Sequence, residues 1–402
     1  MGRPLEGVRI LDLTQAYSGP FCTMHLADQG AEVIKIESPY GDQSRTWGPF
    51  KNDQSAYYSY INRNKKGMVL DLKSPAGKKI LWELIEKADV LCENFKVGTF
   101  EKLGFTYEEM HRVNPRLIYG SISGFGLEGP LASRPCYDII AQAMSGMMSV
   151  TGHVDGPCVK VGPSIADNYS GTYLALGICM ALYQRERTGE GQRLDVAMLD
   201  TLYSVMENFV ISYTVSGVIP QRMGNADSGI APFDSFRAKD GQFVMGCGTD
   251  KMWAKLCAVM GCEELIEDPR YKTNDDRCRN YLPDLKVTIE AWSMEKTVAE
   301  LEELITGVGI PFGQINNIAE ASEHPQIQAR NMLWTVYDPA MDAEIKIPGT
   351  PIKMHGKPDQ IQKAAPKLGE DTEAICSEWL GYSKSMIEKA RQENAFGQVV
   401  SD

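Results

Sequence analysis

The stretch GVRILDLTQAYSGPFCTMHLADQGAEVIKIE, residues 7–37, decides the fold. GVRILDL (7–13) is a short aliphatic run and reads as a strand. SGPFCTMHLADQG (18–30) carries Pro20 near its start and Gly30 after its end, the punctuation of a helix. AEVIKIE (31–37) reads as the next strand. The grammar then repeats. KGMVLDL is a strand, SPAGKKILWELIEKA a helix and DVLCEN a strand; TYEEMHRVN is a helix and RLIYGSISG a strand. Strands alternating with helices predict an α/β fold with a mostly parallel, helix-covered sheet. Ligands of such sheets bind beyond the carboxyl ends of the strands. Those ends are Thr14–Gly19, Ser38, Asp71–Ser74, Glu93–Gly98 and Ser121–Gly129.

The 402 residues suffice for two or three domains. The net charge of −12 argues against general nucleic-acid or anionic-membrane binding. No apolar run reaches the length of a membrane span, and the first residues lack a signal-peptide core, so a cytoplasmic protein is expected. The ten cysteines are scattered without a C-x-x-C, as reduced thiols would be. His25, His111, His153, His324 and His355 are dispersed, and no metal site is expected.

Further along, a long helix from about Asp167 to Glu186 leads to strand QRLDVAM and one more helix over 199–215. These complete a large first domain, residues 1–215. After a polar linker the pattern changes. FDSFRAKDGQFVMGCG is a hairpin about Lys239-Asp240-Gly241, followed by helices near 249–260, 281–293 and 296–306. This predicts a smaller α+β domain over 226–320. Residues 330–402 form a separate C-terminal segment.

GFGLEG (124–129) matches G-x-G-x-x-G after a strand, but it runs into Pro130 instead of an apolar helix, so dinucleotide binding is not expected. No P-loop or G-x-S-x-G occurs. Arg63, Lys65, Lys66, Lys73, Lys96 and Lys102 cluster near strand ends and form a candidate phosphate pocket. Ser164-Ile-Ala-Asp167 fits a helix-opening capping pattern. Gly171 lies one turn below Asp167, where a bare backbone suits close approach of another chain or a ligand. A first-turn carboxylate held ionised is also a usable nucleophile. The capping and nucleophile readings can coexist.

Seven stretches occur in one order: PLEGVRILDLTQAYSGPFCTMHLADQGAEVIKIESP, RNKKGMVLDLK, ADVLCENFKVG, NPRLIYGSISGFGLEGP, YDIIAQAMSG, SIADNYSGTYLALG and ERTGEGQRLDVAM. Over essentially the whole chain they resemble the class III CoA-transferases, the family of formyl-CoA and carnitine CoA-transferases. The nearest overall look is to the oxalate enzymes. The resemblance implies a Rossmann-like large domain built from both chain ends, closing with residues 330–402. It also implies a small domain, an interlocked homodimer, and no tightly bound cofactor, with coenzyme A and acyl-CoA as substrates beside a small carboxylic acid. It places the nucleophile at Asp167. CoA contacts fall at Tyr17, Ser18, Ser38, Leu70, Asp71, Leu72, Lys73, Asn94, Phe95, Lys96, Lys102 and Arg134, and along Pro135–Asp138. A basic residue is common at the Ser38 position. Tyr17, Tyr137, Asp138 and the loop Gly246-Cys247-Gly248 are the implied substrate contacts, with backbone N–H groups near Gly171 or Gly246–Gly248 as oxyanion donors. CoA would pass to the acid through an aspartyl-CoA thioester. An α-methylacyl-CoA racemase needs a histidine where Tyr137 stands, and a phenol of pKa about 10 is a poor proton shuttle. A non-catalytic acyl-CoA-binding protein is the third reading.

Overall fold

The computed structural model describes residues 2–354 and 360–397; His355 lies outside the described residues. The stretch at 7–37 folds as strand β1 (Arg9–Asp12), helix α1 (Ser18–Asp28) and strand β2 (Glu32–Glu37). A small hairpin, β3 (Phe50–Lys51) and β4 (Gln54–Ser55), leads into α2 (Ala56–Ile61). Then come β5 (Lys66–Val69), α3 (Pro75–Ile85), β6 (Val90–Glu93), α4 (Thr99–Lys102), α5 (Tyr107–Val113) and β7 (Ile118–Ser123). Helices α6 (Asp138–Met144), α7 (Met147–Val150) and α8 (Ile165–Thr188) precede β8 (Arg193–Ala197).

Six parallel strands form one sheet in the order β5-β2-β1-β6-β7-β8. The order runs outward in both directions from β1, so the loops after β1 and β6 part at a topological switch point. Both sheet faces are covered, and the two-residue period of a strand shows it. Leu11, Ile34, Met68 and Leu91 pack with Ile80, Leu81, Leu84 and Ile85 of α3. Their neighbours Ile10, Val33 and Val90 pack on the other face with Cys22 and Leu26 of α1 and Leu174 and Ile178 of α8. Each such side chain contributes about 1.5–3 kcal/mol by leaving water. At the β5 edge the outward N–H groups do not face solvent. Gly67 donates to Asp371 Oδ2 at 2.8 Å, and Val69 donates to the Thr372 hydroxyl at 3.2 Å.

The chain divides into two compact units. The first takes the residues up to Met147, Val161–Asn208 and the segment from Pro325 onward, including the hairpin β12 (Leu333–Asp338) and β13 (Ala343–Pro348). The second takes Met148–Lys160 and Phe209–His324. It contains the antiparallel sheet β11-β10-β9, made of β9 (Phe233–Arg237), β10 (Gln242–Gly246) and β11 (Phe312–Gln314). Its core includes Phe236, Phe243, Trp253, Leu256, Leu285 and Ile289. The helix expected over 199–215 is two helices, Met198–Ser204 and Glu207–Ser216. Glu207 has φ of 45°, a left-handed backbone that a continuous helix excludes.

Candidate active site

Asp167 stands in the first turn of α8, but not as part of a capping box. Ser164 makes no side-chain cap bond. Asp138, at the start of α6, caps the helix instead: its Oδ1 accepts from the Ala166 N–H at 2.8 Å, and its Oδ2 accepts from Gln142 Nε2 at 2.7 Å. Both oxygens of this expected substrate contact are therefore engaged within the protein. Gly171 is explained by packing. A Cβ there would lie 2.5 Å from the Ser18 carbonyl oxygen and 3.3 Å from the Cys22 nitrogen. The bare face is filled by the α1 backbone, not by a ligand, and the close approach brings the start of α1 to Asp167. Seven residues into α8, the Gly171 N–H has an intrahelical acceptor and is no oxyanion donor.

The carboxyl of Asp167 is not held ionised as a capping group would be. Burial pushes it up, the nearby Asp138 charge adds to this, and a hydrogen bond with Ser18 opposes it; the result is about 7. Tyr17 donates to Asn168 Oδ1 at 2.7 Å, and its ring lies 5.4 Å from Phe21 and 5.6 Å from Tyr57. Burial and the Asp167 charge raise the hydroxyls of both Tyr17 and Tyr57. Ser18 and Gly19 bring the first-turn N–H groups of α1, which a helix leaves without partners of its own.

The turn from β1 to α1 is clamped from three sides. Ala16, at φ of 64°, donates its N–H to Asp42 Oδ1 at 3.1 Å. Gln15 donates to Asn94 Oδ1 at 2.7 Å, and Asn94 Nδ2 donates back to the Gln15 carbonyl at 2.8 Å and to Ser18 Oγ at 3.4 Å. Lys35 donates to Asp42 at 2.7 Å and also to the Thr14 carbonyl. Beneath the turn, Lys65 donates to Asp12 Oδ2 at 2.9 Å with both groups fully buried. Burial alone would raise the Asp12 carboxyl, but the Lys65 and Lys35 ammonium groups hold it far below the usual carboxylate range. Burial also brings the Lys65 ammonium down to about 8. These pairs correct the expected phosphate pocket. Arg63 is buried against Asp28 at 2.7 Å, Lys65 against Asp12, and Lys66 bridges Glu32 and Glu378. The charges of Arg63 and Lys65 are consumed inside the fold, and that of Lys66 by two carboxylates nearer its surface.

Ser38, Leu70, Asp71, Leu72, Lys73 and Phe95 line one cleft of 640 Å³ beyond the strand ends, together with Gln15. The residues from Gln15 to Ser18 thus join this cleft to Asp167, a reach of at most about 11 Å. The cleft does not include Lys96, Lys102 or Arg134. Lys96 faces a small separate hollow with Glu93 and Ser121, and Lys102 and Arg134 are exposed. Tyr137 is 73 % exposed at the start of α6. In the second unit, Gly246 and Gly248 line an apolar cleft of 580 Å³. Cys247 is fully buried in that unit's core, where burial pushes its thiol up to about 12, so it is no substrate contact. The N–H groups of Gly246 and Cys247 already donate to Pro311 and Pro232. Two N–H groups of GFGLEG are engaged within the protein: Gly126 donates to Ser123 Oγ, and Leu127 to Asp195 Oδ2. Asn168, Tyr57, Asp42, Tyr40 and Asn394 escaped the sequence reading. A polar residue directly after Asp167 was the one available signal for Asn168.

Residues 5–372 match CoA-transferase family III. The chain belongs to that family. It is similar to the acetyl-CoA:oxalate CoA-transferase of Acetobacter aceti, at 43 % identity over 94 % of this chain and 96 % of the relative. The human succinyl-CoA:glutarate CoA-transferase is 36 % identical over 96 % of this chain and 88 % of its own. Among solved structures, a CaiB/BaiF family protein from Brucella suis superposes with a TM-score of 0.83 at 37 % identity, covering 94 % of this chain and all of that one. As a family III CoA-transferase, the protein is an enzyme that moves CoA from an acyl-CoA thioester to a free carboxylic acid.

Proposed function

We propose that this CoA-transferase works through Asp167 and that its acceptor is a small dicarboxylic acid such as oxalate. The observation that carries the first part is the placement of Asp167: a carboxylate with no neutralising cation among the described residues, beside the N–H end of α1. Its oxygen attacks the donor thioester carbonyl. The tetrahedral oxyanion is met by the Ser18 and Gly19 N–H groups. Cleavage of the C–S bond gives a mixed anhydride and CoA thiolate. The thiolate then attacks the Asp167 carbonyl, releasing the donor acid and leaving an aspartyl-CoA thioester. The acceptor carboxylate repeats both steps in reverse, and no proton is gained or lost over the cycle. A carboxyl that ionises near 7 is more nucleophilic than an ordinary aspartate, yet available at neutrality.

The relatives that act on oxalate and glutarate support a dicarboxylate acceptor. Tyr137, exposed beside the Asp138 cap, is proposed to orient the acceptor carboxylate through its hydroxyl. The outward strand order supports a Rossmann-like seat for CoA in the 640 Å³ cleft. A homodimer is supported by the exposed apolar side chains of α8, among them Tyr173, Leu176, Met180 and Tyr183. Ten free thiols suit the cytoplasm.

The test is trapping. After incubation with acyl-CoA donor alone, hydroxylamine or borohydride should modify the enzyme, and peptide mass mapping should place the mark on Asp167. A mark on any other residue moves the nucleophile. A matrix of donors against oxalate, glutarate and monocarboxylic acids, read by mass spectrometry, tests the acceptor.

A further inference from the structure

Ser38 lines the 640 Å³ cleft just after β2. The structure shows what stands next to it. Ser38-Pro39-Tyr40-Gly41 is a tight turn closed by the Gly41 N–H donating to the Ser38 carbonyl at 2.9 Å. Proline second and glycine fourth are what such a turn favours. The Tyr40 N–H donates to Ser38 Oγ at 3.3 Å, which further fixes the turn. The turn holds the Tyr40 ring on the cleft wall, 81 % exposed. A second element converges there from the far end of the sequence. Asn394 and Gly397 line the same cleft. Gly397 approaches Pro39 so closely that a Cβ would sit 2.2 Å from the proline ring. The Asp71 N–H donates to the Ala395 carbonyl at 2.8 Å. Asn394 adopts φ of 61°, and its amide reaches Asp71 Oδ2 only at 3.3 Å.

An exposed ring on a rigid turn, and a side-chain amide loosely engaged beside it, make a pocket for a flat base with a donor–acceptor edge. Aromatic rings bind bases by stacking, and asparagine reads adenine by donating to N7 and accepting from N6. We propose that Tyr40 and Asn394 hold the adenine of CoA, the ring stacking on its face and the amide pairing with its N6/N7 edge. The 394–397 segment is then a wall of the nucleotide site, packed at Gly397 against the Pro39–Tyr40 turn. This rests on the reading of the 640 Å³ cleft as the seat of CoA.

The experiment measures equilibrium binding of CoA, 3′,5′-ADP and pantetheine to the full chain. Wild-type protein should bind CoA and 3′,5′-ADP well and pantetheine weakly. Tyr40→Ala should weaken CoA and 3′,5′-ADP by about tenfold and leave pantetheine unmoved, while Tyr40→Phe should retain most of the affinity. Asn394→Gly keeps the left-handed backbone and removes the amide. It should weaken CoA, but not a 1,N6-etheno-CoA whose N6 edge is already blocked. If Tyr40→Ala and Asn394→Gly bind CoA as the wild type does, or lose pantetheine equally, the adenine assignment is overturned. If wild-type protein binds pantetheine as tightly as CoA, the cleft itself has been misread, a different failure.

Discussion

Asp12 and Asp167 flank the β1–α1 turn in the same unit, the first fully and the second partly withdrawn from water, and their surroundings could hardly differ more. Asp12 has two ammonium groups and two threonine hydroxyls. Asp167 has a second carboxylate and one serine hydroxyl. The first arrangement fixes a charge and builds the turn. The second leaves a charge poorly compensated, which is the ground for proposing Asp167 as the nucleophile. Residue type does not distinguish a structural aspartate from a chemical one; the sign of the neighbours does.

The contrast breaks most sharply if Asp167→Asn leaves turnover intact. Activity should fall by orders of magnitude in a steady-state assay while CoA binding persists. Because the folded state holds the Asp167 proton more tightly than the unfolded chain, stability falls as pH rises from about 4 to about 7. In denaturant titrations Asp167→Asn should show a smaller decline over that window, the remainder belonging to Glu93, whose carboxyl burial also raises to about 7. Asp12→Asn should do the opposite: it strands Lys65 in the interior and should cost about 3–5 kcal/mol of stability, read by urea unfolding. An Asp12→Asn protein as stable as wild type would mean the pair is not what holds the turn. The pH profile sharpens the comparison next. Below pH 7, kcat/KM should drop about tenfold per pH unit and level off above it. Asp138→Asn, which keeps a cap oxygen, should move that break to lower pH.

Much of the fold was legible because strand alternation and helix punctuation are local signals. Ile10 and Leu11 face opposite layers, as period two requires. The division of 199–215 was not legible, since its cause is one backbone angle at Glu207. At the site, the helical position of Asp167 makes it a candidate, and the close approach expected at Gly171 is made by the α1 backbone, not by a ligand. The cap on α8 comes from Asp138, 28 residues away, and the turn clamp from Asp42, 26 residues from its partner. Neither spacing leaves a periodic trace. Arg63 and Lys65 misled because a cluster of basic residues looks the same whether it faces phosphate or buried carboxylates.

The two glycines of α8 extend the comparison to smaller effects. Gly171→Ala drives a Cβ against the Ser18 carbonyl. It should cost about 1–3 kcal/mol as overpacking and lower kcat by displacing α1. Gly177→Ala meets only Leu194, at 3.5 Å, and should stabilise by about 0.4–1 kcal/mol. Equal effects at the two sites would show that α1 yields freely.

The covered edge of β5 has a consequence for biosynthesis. Gly67 and its cap Asp371 are 304 positions apart. At about 5–20 residues per second, a nascent chain waits roughly 15–60 s between making the strand and making its cover. Through that interval the edge is an open template for pairing with another chain. Fragments that stop before Asp371 should therefore aggregate even with the rest of the sheet complete. The late segment acts as a guard on an edge exposed from the first minute of the protein's life.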